Sequence, residues 1–370
     1  MKPIRVLQVV TTMERAGLET MLMNYYRHID RTKVQFDFLK HRDGVHAYDE
    51  EIKALGGKIY TVPAFNPLNT NGYFNALDVF FREHNEYRIV HSHLDCLSAV
   101  PLRYAKRYGV PTRIAHSHVS KMTFDLKYPV RAFYRVQIPS VATDMFACSD
   151  TAGKWMFGDR PFRVISNAID SAAFCYDTDR ADHLRKENNL DGKFVVVHIG
   201  RFDPVKNHSF LLDVFREIAN QNDNCILLLA GVGTTMDEMK RKVEAYGLKD
   251  KVRFLGSVDN VPDLLQMSDA FVFPSKYEGL GISLIEAQAA GLPCFASKGC
   301  VPVDADVTDD VQFLSLENGA KAWADRILEE RKRTRQRKSN IQALLDSGYD
   351  ISVEAEKLQE FYIQRYMEEV

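Results

Sequence analysis

The sequence predicts an α/β protein built from two doubly wound parallel sheets. Apolar runs of strand length alternate with amphipathic segments of helix length along the whole chain, which is typical of parallel strands joined by crossover helices. The alternation starts again at "FVVVHIG", near the middle of the chain. With 370 residues, of which 45% are hydrophobic and 26% charged, the chain is long and apolar enough for two domains with separate cores.

The strands of the first half are predicted from six apolar segments. They are "IRVLQVV", "VQFDFLK", "KIYTV", "RIVHSHL", "TRIAHSH" and "MFACS", and helices are predicted over segments between them such as "LETMLMNYYRHI" and "NALDVFFREHN". In the second half the predicted strands are "FVVVHIG", "CILLLAG", "VRFLG" and "AFVFPS". The helices between them are predicted over "HSFLLDVFREIANQ" and "TMDEMKRKVEAYG", and a further helix follows Glu278.

The boundary between the domains is predicted in "VISNAIDSAAFCYDTDRADHL", after Asn167. We therefore expect a first domain over residues 1–168 and a second over residues 169–348. The last segment, residues 349–370, contains the amphipathic stretch "ISVEAEKLQEFYIQRYMEE" and no further strand. It is predicted to be a helix that crosses back and packs on the first domain.

Composition argues against several classes of protein. No segment approaches the roughly 20 consecutive apolar residues of a membrane-spanning helix. The apolar stretch in "MKPIRVLQVVTT" is too short and interrupted for a signal peptide and is interpreted as the first strand. Six cysteines without a CxxC pair favour reduced thiols in a cytoplasmic protein over a disulfide framework or a zinc site. With a net charge of −2, no nucleic-acid partner is expected.

Basic residues are concentrated in the first half. Residues 1–169 hold 23 Lys and Arg against 16 Asp and Glu, whereas the remainder holds 25 against 34. Most of the excess lies in segment 102–136, where basic residues alternate with tyrosine and phenylalanine. This pattern suits an anionic membrane surface, which would place the protein peripherally on the inner face of the cell membrane, or an acidic acceptor. An ordinary solvated face with its aromatics turned inward remains the alternative.

The stretch "YEGLGISLIEAQAAGLP" predicts an anion site at the start of a helix. The helix is expected to begin near Ile282 and to end at Gly291. Gly279 and Gly281 allow the backbone to approach a ligand closely, and the free N–H groups of the first turn suit a diphosphate.

Two carboxylates flank this predicted anion site. Glu286 lies about one helical turn into the helix, roughly 6 Å along its axis, and can accept hydrogen bonds from the hydroxyls of a ribose. Glu278 lies on the other side and can do the same for a sugar ring. The alternative is a capping carboxylate and an ordinary exposed glutamate.

Two cations follow the strand in "VVVHIGRFDPVKNHSFLL". The strand is predicted to end at Gly200, and Arg201 and Lys206 lie on the loop that leaves it. Cations at a strand end suit a diphosphate whose leaving charge must be neutralised. Taken singly, either residue could be an ordinary surface cation.

These motifs resemble one enzyme family over nearly the whole chain. The segments "GRFDPVKNHSFLL", "LLLAGVGTTMDEMKRKVEAYGLKDKVRFLG", "YEGLGISLIEAQAAGLP" and "VISNAID" are similar to the retaining, nucleotide-sugar-dependent glycosyltransferases of family four. The family fold is GT-B, with two Rossmann-like domains that face a central cleft. Its signature Glu-x-x-x-x-x-x-x-Glu corresponds to Glu278 and Glu286. The segments "TTMERAGLETMLMNYYRHIDR" and "VPVDADVTDDVQFLSL" are most similar to members that build exopolysaccharide or capsule.

The resemblance implies a role for each matching residue. Arg201 and Lys206 correspond to the groups that bind the donor diphosphate, Glu286 to the ribose ligand and Glu278 to the ligand of the donor sugar. The backbone along the phosphates and sugar corresponds to Gly279, Leu280, Gly281 and Ile282.

Other positions match the family less completely. The usual Gly-Gly-x-Glu after the first strand reads Ala16-Gly17-Leu18-Glu19 here, so only Gly17 carries over to the donor phosphates. The usual Asn-Gly at the interdomain strand end is Asn167 followed by alanine, which keeps Asn167 as a candidate without the freedom of the glycine.

The turn after "CILLLAG" is a further candidate for donor binding. It contains Gly231-Val232-Gly233 but lacks the third glycine of a dinucleotide fingerprint. We therefore interpret the turn, with Gly233, as a strand-to-helix connection that lines the donor cleft beside Gly200.

Two histidine pairs occur in "VHSHLDC" and "RIAHSHVS". Family members usually place one histidine of the first domain beside the reacting sugar, and His116 and His118 both fit, since alternation along a strand turns both to one face. His118 is slightly favoured. His91 and His93 are expected behind them or on the acceptor side. A metal site is the less favoured alternative, because no carboxylate or thiolate set accompanies the histidines.

The resemblance implies retaining transfer of a sugar from a nucleoside-diphosphate sugar, with uridine favoured as the base. The acceptor would be a hydroxyl of a lipid-linked or growing glycan, and no metal or other cofactor would be required. Two alternatives remain open: a GT-B enzyme with a small-molecule acceptor or a sugar-nucleotide epimerase, and a non-catalytic protein that binds nucleotide sugars or glycans.

Overall fold

The chain folds into two compact units. One unit comprises the residues up to Ile169 together with the segment from Gly348 onwards, and the other is Asp170–Ser347. The structure, a computed structural model, describes residues 2–119, 128–333 and 337–368.

The described residues of the first unit form seven strands and seven helices before the chain leaves it. The strands are β1 Ile4–Val10, β2 Val34–Lys40, β3 Ile59–Thr61, β4 Ile89–Ser92, β5 Thr112–Ser117, β6 Asp144–Ala147 and β7 Arg163–Val164. The helices are α1 Gly17–His28, α2 Asp49–Ala54, α3 Asn71–Glu83, α4 Ala99–Arg107, α5 Tyr128–Arg135, α6 Ile138–Val141 and α7 Asp150–Phe157.

The seven strands form one parallel sheet in the order β3-β2-β1-β4-β5-β6-β7. Strand order runs outwards from β1 in both directions, which confirms a doubly wound sheet. Its central strands are buried on both faces, so they read as near-continuous apolar runs. Gln8 and His91 are register partners in this sheet and are among the polar side chains buried in its interior.

In the second unit, six strands and seven helices are formed by residues 170–333 and 337–347. The strands are β8 Phe194–Ile199, β9 Cys225–Ala230, β10 Val252–Gly256, β11 Ala270–Phe273, β12 Cys294–Ser297 and β13 Val311–Leu314. The helices are α8 Thr178–Glu187, α9 His208–Gln221, α10 Met236–Ala245, α11 Val261–Gln266, α12 Ile282–Ala289, α13 Gly319–Arg331 and α14 Ile341–Asp346. The strands form a parallel sheet in the order β10-β9-β8-β11-β12-β13.

The last helix, α15 Ile351–Met367, belongs to the first unit. It packs against α1, β1 and β2, with Phe361 against the ring of Phe146 and Tyr362 fully buried. A backbone bridge between Ile169 and Asp350 ties the start of α15 to the point where the chain leaves this unit. The predicted helix that returns to the first sheet is therefore confirmed.

None of the helices among the described residues combines the length and the apolar character needed to cross a bilayer. The six cysteines are all free thiols.

Candidate functional site

The predicted phosphate-binding residues of the second unit lie at the edge of its sheet where the strands end. The Ser283 hydroxyl donates to the carbonyl of Ile199, at 3.1 Å, and so fixes the first turn of α12 to the end of β8. The Lys276 amide donates to the carbonyl of Val205, at 2.8 Å, which joins the loop after β11 to the loop after β8. Gly200, Arg201, Lys206, Gly233 and residues 278–286 are thus brought to one edge of one sheet.

The glycine turn after β9 supports the loop that carries Arg201. Gly231 has a φ of +139°, and a Cβ built on it would lie 2.1 Å from the carbonyl oxygen of Gly200. Gly233 has a φ of +157°, and its Cβ would lie 2.3 Å from the carbonyl oxygen of Phe202. Since side chains at these positions would collide with backbone, both glycines are required for the two loops to touch.

We expect Gly231→Ala to disturb this contact and to weaken nucleotide binding by about tenfold or more, because the loop of Gly200 must move away. Gly247→Ala is a matched control, since Gly247 also has a positive φ (+67°) but open space around it. Calorimetric titration of both variants with nucleoside diphosphate tests this. Equal affinities in the two variants would contradict the supporting role of the turn.

Lys206 and Glu278 form an ion pair, with Nζ of Lys206 2.7 Å from Oε1 of Glu278. Both side chains are largely covered, at 20% and 10% exposure. The ammonium also lies 4.9 Å from the centroid of the Phe273 ring. The sequence assigned these residues to different parts of a ligand, and the structure joins them in one charged group.

Asp203 is a site residue that the sequence analysis missed. Its carboxylate accepts hydrogen bonds from the backbone amides of Val205 and Lys206, at 3.0 and 3.1 Å, and from Nε of Arg201, at 3.0 Å. Burial raises the pKa of Asp203, but the hydrogen bonds from Lys206 and Arg201 outweigh burial, and the net pKa lies below its ordinary value. Asp203 therefore shapes the cationic loop, and the "DP" dipeptide is the turn signal that could have identified it.

Helix α12 begins at Ile282, as predicted. Gly281 precedes it with φ +88° and ψ 64°, and no side chain caps the helix. The carboxylate of Glu278 pairs with Lys206 and does not cap helix α12. Gly279 is exposed and has no atom within 4 Å of a built Cβ, whereas Leu280 is buried and anchors the turn. The first turn of α12 consequently keeps uncapped N–H groups, which suit an anion.

Glu286 lies on α12, partly covered by its surroundings. In the part of the chain that the structure describes, no group donates a hydrogen bond to its carboxylate. Burial raises the pKa of Glu286 to about 7. An unpaired, partly buried carboxylate is typical of a ligand-binding group, because its desolvation is otherwise uncompensated.

Gly17 and Asn167 lie in the first unit. Gly17 is exposed and is the first residue of α1, whose N-terminus has no side-chain cap. Asn167 follows β7, and its buried Oδ1 accepts no hydrogen bond from any described residue. Its neighbour Ala168 is held by the side chain of Asn24, whose amide donates to the Ala168 carbonyl at 3.1 Å.

Four histidines form an array of two hydrogen-bonded rows. His91 and His116 lie within β4 and β5, and His93 and His118 directly follow these strands. His91 Nε2 lies 3.1 Å from His116 Nδ1, and His93 Nδ1 lies 2.9 Å from His118 Nε2. The rows stack, with centroids 4.2 Å apart for His91 and His93 and 4.1 Å apart for His116 and His118.

The array is neutral. Burial, followed by the neighbouring imidazoles, lowers the pKa values of His91, His93 and His116 well below 6.5. Burial alone lowers the pKa of His118 to about 3. His118 is only partly covered and its amide donates to the Asp95 carboxylate at 2.7 Å, whereas His116 is buried.

Three of these histidines, His91, His93 and His116, have ring nitrogens close enough together to be considered for a metal ion. Imidazole lone pairs lie in the ring plane, and here every ring nitrogen of these three histidines except Nε2 of His116 lies within hydrogen-bond distance of the next ring or a polar neighbour. Ligation would require the rings to leave these hydrogen bonds and converge on one point. The arrangement is that of a hydrogen-bond network.

The structure describes the basic-aromatic segment 102–136 except for residues 120–127. Lys121, Phe124 and Lys127 of the predicted segment therefore lie outside the described residues. Tyr104, Tyr108 and Tyr134 pack against the core, as in the inward-facing alternative. Phe133 on α5 is 61% exposed and Val136 is 71% exposed. The segment thus has an apolar exposed face beside its cations.

Comparison with known proteins extends these observations. Residues 179–343 match the family described as glycosyl transferases group 1. The chain is 35% identical over 357 residues to EpsF of Bacillus subtilis (strain 168), a protein named as a glycosyltransferase, and the match covers 94% of this chain and 93% of EpsF. It is 24% identical to the capsular polysaccharide biosynthesis glycosyltransferase CapH of Staphylococcus aureus, over 98% of this chain and 99% of CapH.

Among solved structures, Anabaena HepE in complex with UDP and glucose aligns with a TM-score of 0.79 and 18% identity, over 97% of this chain and 99% of HepE. A likeness of this kind shows the fold.

Proposed function

Because the chain belongs to the group 1 glycosyltransferases, with the GT-B fold, we propose that it transfers a sugar from a UDP-sugar to a hydroxyl of a lipid-linked or growing glycan, with retention at the anomeric carbon. Membership of the family supports glycosyltransferase activity. The donor, the stereochemistry and the acceptor are the proposal.

The single observation that carries the donor assignment is the Lys206–Glu278 ion pair beside the uncapped start of α12. The pair sets a cation for phosphate next to an acceptor for sugar hydroxyls. In the proposal Lys206 and Arg201 bind the diphosphate together with the amides of residues 279–282, and Glu286 accepts hydrogen bonds from the ribose. HepE, with the same fold, was crystallised with UDP and glucose, which supports a uridine nucleotide.

The proposed reaction breaks the bond between the anomeric carbon and the β-phosphate oxygen and forms a bond to the acceptor oxygen on the same face of the sugar. The acceptor proton passes to the departing phosphate oxygen. The charge that develops on the diphosphate is stabilised by Lys206, Arg201 and the helix start, so no metal ion is required in this proposal. Glu278, held by Lys206, orients the sugar rather than attacking it.

In the first unit we propose that His118, or His116 behind it, hydrogen-bonds the donor sugar, and that Gly17 and Asn167 contact the donor. Both histidines are neutral, so either can accept or donate a hydrogen bond without adding charge.

Two observations support a glycan or lipid-linked acceptor. The relative CapH is named as a glycosyltransferase of capsular polysaccharide biosynthesis, and segment 102–136 has an exposed apolar face. In the proposal Phe133 and Val136 contact an anionic membrane surface at which a lipid-linked acceptor resides. The protein would then act on the cytoplasmic face of the membrane.

The test is incubation of the purified protein with labelled UDP-, GDP- and ADP-sugars and a lipid-linked acceptor extract, with and without EDTA. We expect transfer from a UDP-sugar, an unchanged rate in EDTA, and a product whose anomeric configuration by NMR equals that of the donor. Inversion would contradict the mechanism, and loss of the product in EDTA would contradict metal independence. Exclusive use of GDP- or ADP-sugars would contradict the uridine assignment.

A further inference from the structure

The histidine array ends on two polar side chains from other elements of the same unit. Gln8 of β1 lies with Oε1 2.9 Å from Nε2 of His93. Tyr362 of α15 lies with its hydroxyl 2.7 Å from Nδ1 of His91. The Gln8 amide nitrogen also donates to the Tyr362 hydroxyl, at 3.4 Å, which links the two rows through one side chain.

Each hydrogen bond along a row determines the next, because a neutral imidazole has one donor nitrogen and one acceptor nitrogen. Gln8 Oε1 only accepts, so His93 carries its proton on Nε2 and accepts at Nδ1. His118 must then donate from Nε2, and its Nδ1 is left as an acceptor.

The other row is ordered by Tyr362. Its oxygen accepts from the Gln8 amide, so its proton is directed to Nδ1 of His91. His91 then donates from Nε2 to Nδ1 of His116, and His116 carries its own proton on Nε2. A reversed Gln8 amide would reverse every proton in both rows, so the four tautomers are coupled through one amide group.

We propose that Gln8 and Tyr362 are positioning residues that hold His91, His93, His116 and His118 in one common tautomer, with the proton of each ring on Nε2. His118 then presents an acceptor nitrogen, whereas the proton on Nε2 of His116 is buried and has no partner among the described residues.

The catalytic consequence rests on the proposed function. If His118 contacts the donor sugar, its Nδ1 accepts a hydrogen bond from a sugar hydroxyl, and the wrong tautomer would offer an N–H in its place. The network would thereby determine which sugar hydroxyl can be recognised, and α15, at the far end of the chain, would contribute to that choice through Tyr362.

The test is nitrogen NMR of the imidazole rings in the full-length, ligand-free protein labelled with ¹⁵N-histidine, with assignment from single His→Gln variants. In the parent we expect all four rings to show a protonated Nε2 and an unprotonated Nδ1. In Tyr362→Phe, His91 loses its donor and the Gln8 amide nitrogen loses the hydroxyl that orients it, so all four rings should become tautomer mixtures.

The matched control is Tyr25→Phe. Tyr25 is equally buried in the same unit, and its hydroxyl donates to the Ser166 carbonyl at 2.8 Å, away from the array. Its loss should leave all four tautomers unchanged. A protonated Nδ1 on any of the four rings of the parent, or an unchanged His91 in Tyr362→Phe, would overturn the proposal.

Activity gives a second readout. We expect Tyr362→Phe to lower kcat by about tenfold, since one ordered hydrogen bond near the reaction is lost, with little change in the donor KM. The NMR result needs no turnover, so correct tautomers in a protein without transferase activity would contradict the proposed function alone. Mixed tautomers in an active enzyme would contradict the positioning role alone.

Discussion

Replacing Lys206 by alanine should reduce sugar transfer by about 10²- to 10³-fold, because the charge that develops on the leaving diphosphate loses its closest covered cation. The loss has a second cause in this protein. Without the ammonium, the largely covered Glu278 becomes an unpaired carboxylate beside the phosphates, where it repels them. We therefore expect the affinity for nucleoside diphosphate to fall as well as kcat, measured by titration calorimetry and steady-state kinetics.

A lysine with a similar environment provides the control. Lys242 pairs with Asp213 at 2.8 Å and is 21% exposed, in the same unit as Lys206. Lys242→Ala should keep transfer within about twofold of the parent, since Lys242 contacts Asp213, Ser209 and Tyr246 and none of the proposed phosphate ligands. Turnover of Lys206→Ala close to that of Lys242→Ala, in a protein with normal thermal stability, would refute the assignment of Lys206 to the diphosphate.

The second large effect concerns Glu286. Ribose hydroxyls donate to a carboxylate more strongly than to a neutral group, so donor affinity should rise as pH rises towards the pKa of about 7 and level off above it. Glu286→Gln should remove this rise and weaken the donor by about 10- to 100-fold at pH 8, in line with the loss of hydrogen bonds to a charged group. Donor titrations at several pH values between 5 and 8 measure both effects.

The stability of the ligand-free protein should change in the opposite sense. The folded state holds the Glu286 proton up to about pH 7, whereas the unfolded chain releases it near the ordinary value of 4.5. Folding therefore becomes less favourable as pH rises through this window, and Glu286→Gln should be the more stable protein at pH 8, by on the order of 1 kcal/mol.

Subtracting the denaturation curves of variant and parent removes the contribution of the other titrating groups. Glu244→Gln, at an exposed position of α10, is the control and should show no such difference. If the difference in stability between Glu286→Gln and the parent does not change between pH 5 and pH 8, burial does not raise the pKa of Glu286.

The strands and helices that could be predicted are those whose apolar residues recur with a clear strand or helix period. The strand β1 and the helix α9 coincide with the predicted segments "IRVLQVV" and "HSFLLDVFREIANQ", because each has enough residues for its apolar pattern to be read. The strands β12 and β13 were not identified. Each has four residues, and "CFAS" and "VQFL" differ little from the turns around them until neighbouring strands supply hydrogen bonds.

The candidate site could be predicted at the level of residue types and loops. Arg201, Lys206 and Glu278 were located from strand ends and glycines, which are local signals. The Lys206–Glu278 pair could not be predicted, because it joins two loops that follow different strands. The collision that requires glycine at position 231 depends on a carbonyl 31 residues away in sequence.

The histidine array shows the same limit. Strand alternation correctly turns His116 and His118 to one face, but the partners that order them come from β1 and α15. Tyr362 is 271 residues from His91, and nothing in the segment "LQEFYIQRYM" distinguishes it from any other buried tyrosine.

The first unit is completed by a helix, α15, that is synthesised only after the second unit. A ribosome makes the whole of Asp170–Ser347 before α15 emerges, which takes on the order of ten seconds at ordinary rates of translation. During that time the surface of β1 and β2 that α15 later covers is open to water and to chaperones. Early truncation of the chain, or a bulky tag fused close to α15, should therefore make the N-terminal half insoluble, although its own codons are intact.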